Sequence, residues 1–376
     1  MTEVQEKDAS SYDVVVVGGG PTGLSAALAL SRARRSVLVI DAGRPRNAAA
    51  GHVHNYLGRE GTSPAELLTL GRAEVHSYGG RVVGGTVVSA ERTAGLEGGF
   101  RVELADGSHV DARRLLVTTG LVDELPDVPG VAQRWGRDVL HCPYCHGWEV
   151  RDQALGILAT SPLGVDQALL FRQWSSDVTL FLHTAPQPSP LQWEQLAARG
   201  IAVVDGEVAA VEVTDDQLSG VRLRSGKLIP RQTVVVAPRF AARVDVLTPL
   251  GLGMTEMLLG ELVVGSYVPA DPMGATAVPG VWVAGNVADP RAQVIGSAAA
   301  GLTTAAAINA DLIAEDTARA VAARQQDPEP FSAQAERENC ERVLGDRRHG
   351  LAASDSMSTA RHGADGLSPT RPRAQT

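Results

Sequence analysis

Cysteine is scarce in this chain, three residues in 376, so no disulfide framework can hold the fold and a buried core must do so. Aromatic residues make up 4%, and lysine occurs at Lys7 and Lys227 alone, leaving 32 of the 34 basic residues as arginine. No basic run interleaves with aromatics, and the formal charge of −9 argues against a nucleic-acid surface. No apolar run reaches the ~18 residues of a spanning helix, and the first eleven residues, MTEVQEKDASS, are polar and acidic. The expectation is a cytoplasmic protein without membrane or nucleic-acid partners. With 44% hydrophobic residues over this length, the chain can bury a sizeable core and is expected to form two domains plus appendages.

Two of the three cysteines stand together in His141-Cys142-Pro143-Tyr144-Cys145-His146-Gly147-Trp148-Glu149. A Cys-x-x-Cys pair in such a chain is either a redox dithiol or half of a metal site. Tetrahedral zinc would need two more ligands at ligand-like spacing. His141 and His146 are too close in sequence to form a second pair and Cys340 is remote, so the redox reading is preferred and no metal is expected. Two intervening residues let one helical turn close a disulfide, and a helix N-terminus lowers the pKa of the first thiol. Pro143 suits that first turn.

The chain opens on the pattern of a dinucleotide site. Residues 12–17 are a β-branched run, as in a strand buried on both faces of a parallel sheet. The run enters Gly18-Gly19-Gly20-Pro21-Thr22-Gly23, followed by an apolar helix over residues 24–32 and a second strand over 36–40 ending at Asp41 and Ala42. Gly18 allows the tight turn, Gly20 the approach of pyrophosphate to backbone, and Gly23 helix packing; Asp41 is placed for a ribose hydroxyl. The glycine spacing alone is weak, but strand, turn, helix, strand and acid together are specific.

Residues 43–61 are rich in Gly, Asn and His without periodicity, and a long irregular stretch there is more often functional than filler. Arg46, Asn47, His52, His54 and Asn55 are its candidate contacts to cofactor or substrate. Each histidine also has a bland reading as a packing or surface residue. A helix from Pro64 to about Tyr78, capped by Ser63, precedes a small sheet over residues 81–89, 100–104 and 115–117. Thr118-Thr119-Gly120 is a small-residue turn, and residues 121–130 form a Pro- and Asp-rich domain crossing. Further on, strands are expected over 155–158, 177–182, 233–238 and 281–286, with a helix over 165–171. The last strand leads through Gly285-Asn286 to Ala292-Gln293-Val294 and a small-residue helix over 296–309. Beyond about residue 326 the composition turns polar and a mostly disordered tail is expected, with Cys340 incidental in it.

This order of motifs resembles the low-molecular-weight thioredoxin reductase family over about residues 11–318. The resemblance implies an α/β fold of two Rossmann-like domains, each a three-layer ββα arrangement. The implied domains are an FAD domain over 1–121 and 244–325, a central domain over 122–243 carrying the Cys-x-x-Cys, and a tail over 326–376. It also implies tightly bound FAD facing the disulfide, with Gly18, Gly20, Pro21, Thr22, Gly23, Asp41, Ala42, Arg46, Asn47, His54, Asn55, Thr119, Gly120, Gly285, Asn286, Ala292, Gln293 and Val294 as its contacts, and a homodimer. Asn286 stands where the family usually has Asp and is expected on the flavin ribitol.

The central domain departs from the family's nucleotide site. Between its strand and helix stands Ala159-Thr160-Ser161-Pro162-Leu163-Gly164, with Ala, Thr and Ser at the glycine places, so that each adds a Cβ where pyrophosphate needs bare backbone. No arginine cluster for a 2′-phosphate follows residues 177–182. The expectation is a domain that keeps its fold and has lost NADPH. Electrons then come from a dithiol and leave to oxygen, as in the family's dithiol oxidases that close gliotoxin and holomycin, whose Cys-Pro-Tyr-Cys-His-Gly segment this one resembles. By that resemblance a substrate thiolate attacks Cys142, a second substrate thiol assisted by His146 closes the product disulfide, Cys145 passes the electron pair to the flavin, and O2 becomes H2O2. His141 and His146 are both candidate bases, with a bland alternative as helix-start hydrogen-bond donors. A reductase drawing on NADPH or a protein donor, a non-catalytic flavin redox sensor, and a glutaredoxin-like module are the other readings. The last is the weakest, because a flavin half-domain precedes the motif.

Overall fold

The computed structural model describes residues 11–93, 99–325 and 332–344. One compact unit runs to Leu312 and a second begins at Ile313. Among the described residues no helix is long and apolar enough to cross a membrane.

In the first unit the valine run forms the strand Ser11–Val17, at the centre of a parallel sheet ordered Arg81–Gly84, Val37–Asp41, Ser11–Val17, His109–Val117 and Val281–Val283. Its two faces are both apolar because the sheet is covered twice. Val14 and Val16 point to the helices Pro21–Arg32, Pro64–Ser77 and Val294–Gln325 through Leu24, Leu30, Leu68 and Ile308. Val15 and Val17 point the other way, onto Ala90, Phe100 and Val102 of an antiparallel meander. That meander, Val87–Arg92 and Phe100–Leu104, pairs with the first half of His109–Val117, and Val281–Val283 pairs with its second half. A layer of helices, a parallel sheet and a β-meander make the ββα sandwich. Ser63 caps its helix as expected, accepting a hydrogen bond from the Glu66 amide at 3.2 Å.

The central part repeats the plan. Ala202–Val204, Val178–Phe181, Leu155–Leu158, Thr233–Val236 and Val139–Leu140 form a parallel sheet in that order. Ile157, Leu180 and Val235 pack on the helices Leu163–Phe171 and Pro190–Ala198. Leu158, Phe181 and Val234 pack on the three-stranded antiparallel sheet through Val211, Leu218 and Val221.

The crossing expected over residues 121–130 holds a strand, Leu121–Glu124. It pairs antiparallel with Arg239–Ala242, so both passages of the chain between the sheets run side by side. Two other expectations change. The small-residue helix continues past residue 309 to Gln325 in an Ala-rich stretch that carries an i,i+4 ion pair, Glu315 with Arg319 at 2.5 Å. The tail contains the helix Ala333–Leu344, which holds Cys340; residues 326–331 and 345–376 lie outside the described residues.

The central glycine turn also needs correction. Counting from the strand ends at Val17 and Leu158, the places of Gly18, Gly20 and Gly23 are taken by Ala159, Ser161 and Gly164. The third glycine is therefore kept. A Cβ on Gly164 would lie 2.3 Å from that of Ala159, so close packing of helix on strand still demands glycine, and only the two places that would face a pyrophosphate have gained side chains.

Candidate active site

The first glycine turn is built by three different constraints. Gly18 sits at φ +111°, where a Cβ would meet the Thr118 carbonyl oxygen at 2.6 Å, and a Cβ on Gly23 would meet the Gly18 carbonyl oxygen at 1.9 Å. Gly20, in contrast, has nothing within 4 Å of its Cβ direction and opens onto a cavity. The helix that follows has Pro21 at its first position and no side-chain cap at Gly20, which leaves its leading amides for an anion. At the end of the second strand Asp41 is held by Arg72 Nη2 at 2.9 Å and by the Gly43 amide at 3.2 Å. A carboxylate has about four acceptor sites, so capacity for a hydroxyl remains.

Arg46 is the hub of the opposite wall. Its Nε and Nη2 donate to the two Asp123 oxygens at 2.8 and 2.6 Å, its Nη1 donates to Asn286 Oδ1 at 3.2 Å, and its guanidinium lies 5.2 Å from the Phe240 ring centre. Thr119 Oγ1 donates to the Arg243 carbonyl at 2.7 Å, and Gly120, at φ +72°, accepts from the Arg243 amide at 3.1 Å, which ties the two crossings together. Asn286 is more committed than the sequence suggested. Its Nδ2 donates to the carbonyls of Asp289, Pro290 and Ala292 at 3.0, 3.4 and 2.9 Å, folding the turn that aims the helix beginning at Val294 into the cavity.

Cys142 and Cys145 are joined as a disulfide with Cα atoms 5.3 Å apart. Cys142 is the N-cap of the single turn Pro143–His146, and its carbonyl accepts from the Cys145 and His146 amides at 3.3 and 3.2 Å. Both cysteines are half-buried, so exposure does not distinguish the attacking sulfur. Gly147 closes the turn where a Cβ would strike the Trp174 ring at 2.9 Å. The imidazole of His141 stacks on Trp135 at 5.6 Å and meets Phe240 edge-on at 5.8 Å. Burial pushes its pKa down to about 4, helped by the charge of Arg46. The pKa of His146 is also lowered, first by burial, then by His54, while Glu149 opposes the shift.

A cavity of about 740 Å³ brings these pieces together. Gly18, Gly20, Pro21, Thr22, Asp41, Ala42, Arg46, Asn47, His54, Thr119, Gly120, Asn286, Ala292, Gln293 and Val294 line it, together with His141, Cys142, Cys145 and His146. Three expected contacts do not line it. Gly23 is used against the Gly18 carbonyl, and Gly285, at φ +73°, lies where a Cβ would meet Thr22 Oγ1 at 2.2 Å. Asn55 turns its Nδ2 to the Tyr144 carbonyl at 2.6 Å. Sequence reading passed over Asp123, Phe240 and Trp135, which lie in or near the crossings and carry no motif. Glu149 stood within the cysteine segment without a role, although its charge beside two histidines was a usable signal. Above the central turn, by comparison, the cavity is about 20 Å³, lined by Ala159, Ser161, Pro162, Pro186 and Pro188 among others.

Comparison with known proteins agrees with this architecture. Residues 12–306 match the family described as pyridine nucleotide-disulphide oxidoreductase. The thioredoxin reductase sirT of Leptosphaeria maculans is 30% identical over 82% of this chain and 97% of its own. The thioredoxin reductase of Streptomyces coelicolor is 27% identical over 80% of this chain and 92% of its own. Among solved structures, HlmI superposes with a TM-score of 0.78 at 46% identity, covering 84% of this chain and 97% of HlmI. An oxidoreductase from Agrobacterium tumefaciens gives 0.74 at 34% identity, over 81% and 99%.

Proposed function

Because the chain belongs to the pyridine nucleotide-disulphide oxidoreductase family, in its thioredoxin reductase-like branch, we propose that it is an FAD-dependent dithiol oxidase. It oxidises a small-molecule dithiol to the disulfide while O2 is reduced to H2O2. The observation that carries the reading is the contrast between the two glycine turns: one opens at Gly20 onto a cavity of about 740 Å³ that Cys142 and Cys145 also line, while the other carries Ala159 and Ser161 at its first two places. Electrons can thus be exchanged at the cysteines beside the cavity, while on the central domain two side chains stand where a pyrophosphate would need bare backbone.

The residues fit FAD. A turn that a Cβ at Gly20 would fill, uncapped amides at Pro21–Arg32, an acid at Asp41 and the start of the helix at Val294 face one cavity of the size that small-molecule sites use, ~300–1,000 Å³. Bound there, the flavin would accept the electron pair from the reduced cysteines and deliver it to oxygen. The protein's residues do the sulfur chemistry. A substrate thiolate attacks Cys142 and forms a mixed disulfide, releasing the Cys145 thiolate; the second substrate thiol then displaces Cys142 and leaves with the product disulfide. One dithiol is oxidised and one enzyme disulfide reduced, with thiol protons passing to the enzyme sulfurs. His146, neutral at physiological pH because burial lowers its pKa, is the acceptor for a thiol proton. His141 is neutral too and works by packing, its ring held between Trp135 and Phe240 one residue before Cys142. Arg46 and Asp123 pin the crossing strand to the cavity wall. The protein acts as a cytoplasmic homodimer in which residues 122–243 serve as a scaffold for the disulfide.

The test is oxygen consumption and peroxide release with dithiothreitol, beside a parallel assay of NADPH oxidation. Dithiol-dependent peroxide that Cys142→Ser or Cys145→Ser abolishes is the expected result. Rapid NADPH oxidation would restore the reductase.

A further inference from the structure

The cysteine turn is too short to satisfy its own backbone. Pro143–His146 is a single helical turn, in which the Cys142 carbonyl accepts from the Cys145 and His146 amides at 3.3 and 3.2 Å and the Pro143 carbonyl from the Gly147 amide at 2.6 Å. In a longer helix the Tyr144 carbonyl would accept from the amide four residues on. Here it accepts from Asn55 Nδ2 at 2.6 Å, across 89 positions of sequence. A side chain from the loop after the second strand thus caps the turn between its two cysteines.

Asn55 is held firmly enough to serve as a cap. Its own amide donates to Glu60 Oε2 at 2.8 Å, and its φ of +59° lies in the left-handed region that asparagine tolerates. The loop around it is closed by its own bonds. The Val53 amide donates to the Thr62 carbonyl at 2.8 Å, the Gly61 amide to the Val53 carbonyl at 3.0 Å and the Arg59 amide to the Tyr56 carbonyl at 2.8 Å. A second contact lies beside the first: His54 Nδ1 is 2.5 Å from Glu60 Oε1, and its Nε2 is 3.4 Å from Glu149 Oε1. The loop therefore meets the cysteine segment twice, once between the cysteines and once after them. Val53 and His54 line the same cavity as Cys142, Tyr144 and Cys145. We propose that Asn55 is a positioning residue: by capping the Tyr144 carbonyl it holds the Cys142–Cys145 turn in register with the flavin cavity. It touches neither sulfur and acts only through the backbone that carries them. The hold on the turn stands on these contacts; its effect on rate rests on the dithiol oxidase reading.

The test compares purified wild-type holoenzyme with Asn55→Gly, which keeps the left-handed backbone and removes the donor. Asn55→Asp is the second variant; it also tolerates that backbone and sets an acceptor against the Tyr144 carbonyl. Hydrogen exchange read by mass spectrometry reports on the turn itself. In both variants the amides of Cys145, His146 and Gly147 are expected to exchange about 3- to 10-fold faster, the factor that one hydrogen bond contributes. The segment holding the Val53–Thr62 pairing should exchange as in wild type. Unchanged exchange at the turn overturns the proposal, because water then serves the Tyr144 carbonyl equally well. Faster exchange in both segments overturns it too, since Asn55 would then fold the loop rather than position the turn. Anaerobic stopped-flow bleaching of the flavin by saturating dithiothreitol reads the consequence. Its limiting rate should fall by about 10-fold or more, since a displacement of order 1 Å can cost ~100-fold. A limiting rate equal to wild type beside a loosened turn overturns the positioning role. A wild-type flavin that dithiothreitol does not bleach overturns the oxidase reading alone, and hydrogen exchange still decides whether Asn55 holds the turn.

Discussion

Arg46 holds Asp123 by two parallel hydrogen bonds, at 2.8 and 2.6 Å, with the Asp123 side chain only 7% exposed. One partner lies in the irregular loop after the second strand and the other in the crossing strand Leu121–Glu124, so the pair fastens the crossing to the cavity wall. Arg46→Met would leave the aspartate buried and unpaired. A loss of up to about 3–5 kcal/mol of unfolding free energy is expected, the range for breaking a buried pair from one side. Urea denaturation of the apoprotein measures it, and an unchanged midpoint would mean that water already serves Asp123.

The glycine turn separates binding from packing. Gly20→Ala meets no atom within 4 Å, so the apoprotein should melt where wild type does, while flavin affinity falls because the Cβ enters the cavity. Gly23→Ala would drive a Cβ to 1.9 Å from the Gly18 carbonyl oxygen and must displace the helix from the strand. Its apoprotein should melt several degrees lower. Thermal melts with and without added FAD distinguish the two; equal melting losses would erase the division of labour.

His141 predicts an acid-side stability loss. Its pKa is about 4 in the fold and ~6.5 in the unfolded chain. Above pH 6.5 neither state binds the proton and there is no effect. As pH falls from 6.5 toward 4 the unfolded state alone is protonated, so folding weakens, by about 2 kcal/mol at pH 5. His141→Phe keeps a ring between Trp135 and Phe240 and removes the titration. Urea midpoints at pH 7 and pH 5 should therefore diverge less in the variant than in wild type. Parallel shifts in both proteins would assign the acid sensitivity to carboxylates instead.

Asn286→Asp tests how far the ribitol-side residue is structural. The amide nitrogen donates to three carbonyls, and a carboxylate there can only repel them. A destabilisation of about 1–3 kcal/mol is expected, with weaker flavin retention because the helix start at Val294 loses its aim. Unfolding and the flavin content of purified protein report both, and a variant as stable as wild type would indicate that Arg46 draws the new carboxylate away from the turn.

What the sequence made legible was whatever rests on spacing. Gly18, Gly20 and Gly23 after a valine run, and Cys142 with Cys145 two residues apart, encode local backbone geometry that one strand or one turn must adopt. Long-range side-chain pairs were not legible: Arg46 with Asp123 spans 77 positions, and His54 with Glu149 spans 95, with no periodic signal linking either pair. The same limit explains Gly164. Adjacent Ala, Thr and Ser look like three lost glycines until the strand end at Leu158 sets the count, after which the packing glycine is found in place.

That corrected count shapes the last prediction. If lost glycines alone excluded a pyridine nucleotide, Ala159→Gly with Ser161→Gly would restore the turn, since Gly164 is already present. Yet Pro186 and Pro188, from the segment after Val178–Phe181, also line the small pocket of about 20 Å³ beside Ala159 and Ser161. Proline fixes its own φ and stiffens the chain around it, so this segment does not fold back easily. The double glycine variant should therefore still fail to oxidise NADPH, by absorbance at the nicotinamide band, while keeping dithiol-dependent peroxide release. NADPH turnover in that variant would locate the barrier in two Cβ atoms; its absence, with peroxide release kept, would make the proline segment that lines the same turn the next element to change.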